Sequence, residues 1–104
     1  MKRVKRRYLA LRVEVEGVPG ERELLDSVWG SVGRLFGEVG ASLTGLVLID
    51  FNVERKVAVI RVNLVSLSMV RASLAAITSV GGRDASVHVL GVSGTLNALF
   101  HNVG

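Results

Sequence analysis

The side chains able to move a proton or hold a metal are few. His88 and His101 are the two histidines, cysteine is absent, and the nine acidic residues are scattered along 104 positions. His88 falls inside an alternating apolar segment and His101 close to the C-terminus, so both read as structural or solvent-facing groups rather than catalysts. Asp50 stands without a sequence neighbour to pair with, at what reads as a strand end. No spacing of His, Asp and Glu matches a metal-ligand set, and Gly81-Gly82 lacks the surroundings of a phosphate-binding loop. The missing cysteines exclude a thiolate metal site, a cysteine nucleophile and a disulfide framework. What the residues do supply is electrostatic. Lys2, Arg3, Lys5, Arg6 and Arg7 crowd five of the 13 basic residues into the start of the chain, leaving eight against nine acidic ones elsewhere. A cationic arm on a near-neutral body suits contact with phosphates; the alternative is a solubilising leader.

The rest of the chain must position that arm. Residues 1–7 are read as the arm and 8–104 as one α+β domain, a length that one core can serve. Tyr8 to Glu16 alternates, with Leu9, Leu11, Val13 and Val15 on one side, which predicts a half-buried strand. Gly17-Val18-Pro19-Gly20 breaks it. From Glu21 to Val39 the period changes: Leu24, Leu25, Val28, Trp29, Val32, Leu35, Phe36 and Val39 follow helical spacing, with acids in the first turns and Gly40 as the stop. Gly30, Gly33 and Gly37 weaken this helix or allow close helix contact. Leu46 to Val53 and Val57 to Asn63 read as a hairpin across Glu54-Arg55-Lys56. Ser66 to Val80 reads as a second helix on Leu67, Val70, Leu74 and Ile77, capped by Ser66 or Ser68 and ended by Gly81-Gly82. Ala85 to Val92 is a fourth strand, and Thr95 to Phe100 a short last helix. The order β-α-β-β-α-β is that of a ferredoxin-like or RRM-like sandwich: a four-stranded antiparallel sheet with helices packed on one face, plus the terminal helix.

Topology alone decides no function. Acylphosphatases share it, and Gly17, Gly20, Arg22 and Asn63 loosely resemble their site. Pro19, however, removes an N–H where a phosphate cradle needs one, and Glu21 repels the anion. An RRM needs stacking aromatics on its central strands, and the strand Val57–Asn63 has none. The parity of Val57, Val59 and Val87 instead suggests an apolar sheet side, and with Leu96, Leu99 and Phe100 of the last helix these residues are expected to form a protein interface. Hydrophobic residues at 49% leave apolar area to spare. No apolar run approaches the length of a membrane span and the start is too basic for a secretory leader, so a cytoplasmic protein without membrane contact is expected.

Several segments in order carry a family likeness: Lys5-Arg6-Arg7-Tyr8-Leu9; the helix with Trp29 ending Leu35-Phe36-Gly37-Glu38-Val39-Gly40; Val59-Ile60-Arg61-Val62; Val70-Arg71; and Val89-Leu90-Gly91-Val92-Ser93-Gly94-Thr95-Leu96. From about Lys5 to Phe100 the chain resembles the ribonuclease P protein component 2 family, archaeal relatives of the eukaryotic Pop-five subunit. The resemblance implies a non-catalytic subunit of the ribonucleoprotein that matures the 5′ ends of precursor tRNA, with no cofactor on this chain and magnesium on the RNA subunit, which does the cleaving. It implies as partners the ribonuclease P RNA, a TIM-barrel-like protein subunit, a second copy of the chain in a two-plus-two assembly, and precursor tRNA indirectly.

The same resemblance suggests roles. Lys2, Arg3, Lys5, Arg6 and Arg7 would neutralise RNA phosphates. Arg61 and Arg71 match basic positions of the family, Arg71 equally suiting an ion pair. Ser93, Gly94 and Thr95 would hold a phosphate at a helix N-terminus or simply cap that helix. Trp29 is read as core or subunit interface. The chain departs from the family in having neutral Leu96, Asn97, Ala98 and Leu99 after this turn, and Asn63 at a strand end that is commonly basic. The competing reading is a protein-interaction or small-ligand regulatory domain with no RNA role.

Overall fold

The protein's structure, a computed structural model, describes residues 4–103, the side chains of 101–103 excepted. Lys2 and Arg3 and the His101 side chain therefore lie outside the described residues. The order is β1 (Arg6–Val15), α1 (Glu21–Ser42), β2 (Val47–Asn52), β3 (Val57–Asn63), a 3₁₀ turn (Leu64–Ser66), α2 (Leu67–Ala75), β4 (Ser79–Val80), β5 (Arg83–Ser93) and α3 (Leu96–Val103). The strands form one antiparallel sheet in the order β2-β3-β1-β5-β4. The sheet has five strands, not the expected four.

The fifth strand comes from a turn whose sequence reads as a helix end. Ile77 and Val80 continue the helical spacing of Val70 and Leu74, yet α2 stops at Ala75. Gly81 and Gly82 take φ of 60° and 78°. Two consecutive positive φ values define the primed two-residue turn of a hairpin, so Val80 pairs with Arg83 and Ser79 with Asp84. Ile77 and Val80 are buried all the same. The expected Ser66 cap also differs: its hydroxyl donates to the Leu43 carbonyl, 3.1 Å away, and ties α2 to the end of α1.

The main core lies between one sheet face and the two long helices. Leu9, Leu11 and Val13 of β1 and Ile60 and Val62 of β3 meet Leu24, Val28 and Val32 of α1 and Val70 and Leu74 of α2. The helices meet through Ser31, whose buried hydroxyl donates to the Ser73 carbonyl at 2.6 Å. Gly30 and Gly33 face open space and make no close helix contact. Beyond Val32 the apolar stripe of α1 leaves the core. Gly37 (φ 75°, ψ 175°) kinks the helix and changes its phase, and Leu35, Phe36 and Val39 are exposed, as is much of Trp29, which is not core.

The opposite sheet face is covered by α3. Leu99 is fully buried there against Ala10 and Val59, with Tyr8, Leu90 and Leu96 around it. Two of the residues expected to bind a partner, Val59 and Leu99, thus bind each other. Amphipathic α3 satisfies its own apolar stripe by folding back. Val87 is placed on the wrong side by the sequence reading. It pairs with inward-facing Val13 and belongs to the main core, whereas Val57 pairs with Arg12 on the α3 side. Strand alternation gives two faces without saying which is which; register does, and a one-residue difference inverts it. A bulge opposite Ala10/Leu11 shifts β5 by one residue at Leu90.

Because the α3 cluster is separate from the main core, Leu99→Ala is expected to undock α3 and not to unfold the domain, at a local cost of about 3 kcal/mol. Hydrogen exchange checks this. Amides of α3 should exchange near the unprotected rate while those of Ile60 and Val13 stay protected; loss of protection at both places would show one indivisible core.

Candidate nucleic-acid interface

The N-terminal end of β1 is also the C-terminal end of β3 and of β5, because both neighbours are antiparallel to it. Arg6 is opposite Asn63, and Tyr8 is opposite Arg61 on one side and Ser93 on the other. Segments far apart in sequence are thereby brought to one end of the sheet. The arm's last residues are held there: the Lys5 carbonyl accepts from Leu64 N–H at 2.8 Å, and Arg6 and Arg7 are already strand. The boundary expected at residue 7 thus falls inside β1.

Arg7 folds over the turn that follows β5. Its Nη1 donates to the Arg6 carbonyl at 2.8 Å, and a Cβ on Gly94 would lie 3.6 Å from that nitrogen. That is ordinary van der Waals contact, so the guanidinium lies against the turn. Thr95 caps α3, its Oγ1 accepting from Ala98 N–H at 3.2 Å, and Ser93 Oγ accepts from Thr95 N–H at 3.3 Å. The capping reading of this turn is the one its geometry shows. Arg61 is half-buried beside Tyr8, and its Nε is shielded from solvent with no hydrogen-bond partner.

Arg71 is not part of the cluster. It sits on α2 among Ala72, Leu74 and Ala75, over Val87, His88 and Val89. Val89 is four residues down β5 from Ser93, roughly 13 Å. Among the described residues the one contact between a basic side chain and a carboxylate is His88–Glu14, at 3.4 Å on the outer face. Lys5, Arg6, Arg7 and Arg61 therefore have no carboxylate within 4.0 Å among the described residues.

The outer face holds one arrangement that invites a catalytic reading. Ser86 Oγ lies 3.1 Å from His88 Nε2, and Glu14 Oε2 approaches the same nitrogen. A serine–histidine–acid relay needs the hydroxyl and the carboxylate on opposite ring nitrogens, so this trio is not arranged as one. Among the described residues no group of three or more His, Asp or Glu is placed to hold a metal, and no helix is long and apolar enough to cross a membrane.

Two features escape the sequence reading. One is an apolar surface at the end of α1 and the start of α2, lined by Val4, Leu43, Val65 and Met69, with Val65 91% exposed. Val39 shares the helical spacing of the core residues yet is 76% exposed. The other is a groove of about 220 Å³ beside α3, with Arg12 and Arg55 on its walls. Charge at Arg12 and Arg55 is visible in the sequence, but nothing there aligns the two.

Comparison with known proteins gives the chain its family. The Rpp14/Pop5 family model matches residues 7–103. The ribonuclease P protein component 2 of Methanosarcina mazei is 35% identical over 90% of this chain and 79% of its own length. That of Pyrococcus furiosus is 32% identical over 93% of this chain and 81% of its own length. Among solved structures, a chain of yeast ribonuclease MRP, seen by cryo-electron microscopy, superposes with a TM-score of 0.70 over 92% of this chain and 79% of that one, at 18% identity, and so shares the fold. A family model spanning nearly every described residue, with relatives above 30% identity along most of their length, leaves one assignment: the chain belongs to the Rpp14/Pop5 family.

Proposed function

We propose that this protein is a non-catalytic subunit of the ribonuclease P ribonucleoprotein and takes part in maturing the 5′ ends of precursor tRNA. Relatives of this chain carry the name of that enzyme's protein component. The structural observation that carries the reading is the sheet end where Lys5, Arg6, Arg7 and Arg61 collect without carboxylates within 4.0 Å among the described residues, beside the Ser93-Gly94-Thr95 turn. Such a surface neutralises phosphates and releases counterions. The arm residues before Lys5 would extend it. Arg71, apart from the rest, is a secondary contact at most. The catalytic metal, magnesium, belongs in this reading to the RNA subunit, and this chain's part is to support that RNA in the cytoplasm.

The protein partners, a TIM-barrel-like subunit and a second copy of the chain, need apolar area. With Val59, Val87 and Leu99 used internally, the exposed surface around Val4, Leu43 and Val65 is the better place for such contacts. Val57, Leu96 and Phe100 retain only the margin of the α3 side. We also read β2-β3-β1-β5 as a ferredoxin-like frame to which β4 is added.

Filter binding of the full chain to ribonuclease P RNA at 50 and 200 mM salt tests the proposal. Four to six phosphate contacts are expected to lower affinity by about 10²–10³-fold over that range. A weak, salt-independent association would instead support a protein-interaction domain.

A further inference from the structure

The groove beside α3 lies away from the basic sheet end, and its lining is of another kind. Its floor is two cross-strand rows on the outer face: Asn52, Val57 and Arg12, then Asp50, Val59 and Ala10. Leu90 and Phe100 close the α3 side, and Arg55 comes from the β2–β3 turn. Arg12 and Arg55 have no carboxylate within 4.0 Å among the described residues. Phe100 is 52% exposed although it stands next to fully buried Leu99, so its ring is available to the groove. Across the floor, two strand spacings or about 10 Å from Arg12, Asp50 and Asn52 offer complementary hydrogen-bonding groups. The Asp50 carboxylate accepts from Phe51 N–H and has acceptor capacity left. The Asn52 side-chain Oδ1 accepts from Arg55 N–H, which leaves Nδ2 to donate.

We infer that this groove holds one unpaired nucleotide of a bound RNA, its base beside Phe100 with its edge toward Asp50 and Asn52, and its phosphate between Arg12 and Arg55. This rests on the RNA-binding reading above and adds a second, distinct contact to it. Two free guanidinium groups favour a phosphate, the apolar Val57 and Leu90 with one exposed aromatic ring favour a base, and a donor and an acceptor on the same strand face match the edge of a nucleobase. An acidic peptide is the less suitable occupant, since it would bring carboxylates against Asp50 and leave the Phe100 ring without a planar partner. The strand residues that line the groove include no aromatic, and the helix supplies one.

The test is a titration of the ¹⁵N-labelled full chain with a single-stranded RNA hexanucleotide, with inorganic phosphate and with a hexaglutamate peptide. The hexanucleotide should shift the amides of Ala10, Arg12, Asn52, Val57 and Val59. Arg12→Ala, Arg55→Ala and Phe100→Ala, each folded by circular dichroism, should each weaken that response about tenfold. Neutralising Lys2, Arg3, Lys5 and Arg6 should leave the groove amides responsive, which separates this site from the basic end. The inference is overturned if the hexanucleotide shifts only residues around Lys5–Tyr8 and Arg61, if phosphate or the peptide gives the same shifts at the same affinity, or if the three variants respond like the parent. The first and last of these leave the RNA-subunit reading intact; absence of any RNA response defeats both.

Discussion

Replacing Lys2, Arg3, Lys5 and Arg6 with glutamine is expected to weaken binding to ribonuclease P RNA by on the order of 10²-fold at 50 mM salt, and to reduce the slope of log affinity against log salt by about 3. Each phosphate deprived of its cation takes a little under one unit off the slope, and four charges are removed. Substitution is the right change because the structure gives the arm's end a second duty. The Lys5 carbonyl accepts the Leu64 N–H, and Arg6 pairs with Asn63. Deleting these residues would strip backbone bonds from β1 and confuse the effect of charge with that of unfolding. Glutamine keeps the backbone and most of the side-chain length. An unchanged slope in a folded variant would mean that the arm does not touch the RNA.

The second large effect concerns catalysis. The purified chain with magnesium should leave precursor tRNA intact, and addition of the RNA subunit and the partner proteins should give cleavage at the 5′ end. The physical ground is the outer face, where Ser86 and Glu14 both address Nε2 of His88 and are not arranged as a relay. In the assembled enzyme His88→Ala should keep the parent rate, whereas removal of a general base costs about 10²–10⁴-fold. Specific cleavage by the chain alone, surviving stringent nuclease controls, or a collapse in rate on His88→Ala, would place chemistry on this protein.

How far the sequence can be read depends on what each element's pattern encodes. β3 is legible from Val57 to Asn63 because it is central, apolar and bounded by a polar turn. The first half of α1 is legible because Leu24, Val28 and Val32 make one stripe. The second half is not: the same spacing continues past Val32, but α1 outruns the core, and periodicity reports amphipathicity without reporting whether anything lies beneath it. The end of α2 misleads for a related reason, since Ile77 and Val80 keep a helical interval by coincidence while two positive-φ glycines build a hairpin.

The candidate site divides in the same way. The arm is legible as charge, and Arg61 and Ser93-Gly94-Thr95 through the family likeness. That these segments share one end of the sheet follows only from antiparallel register. The face of Val87 also needs register, because alternation is symmetric. The groove with Arg12, Arg55 and Phe100 needs three-dimensional placement of three elements, and no local pattern marks it.

Ultraviolet cross-linking in the ribonucleoprotein purified from its native source through this chain tests the central claim most directly. A structured RNA that supports 5′ cleavage of precursor tRNA should co-purify, and peptides containing Lys5 to Tyr8, Arg61 and Ser93 to Thr95 should carry the cross-linked nucleotides. Purification without RNA, or cross-links confined to other parts of the chain, would contradict the assignment of that sheet end as the RNA-binding surface.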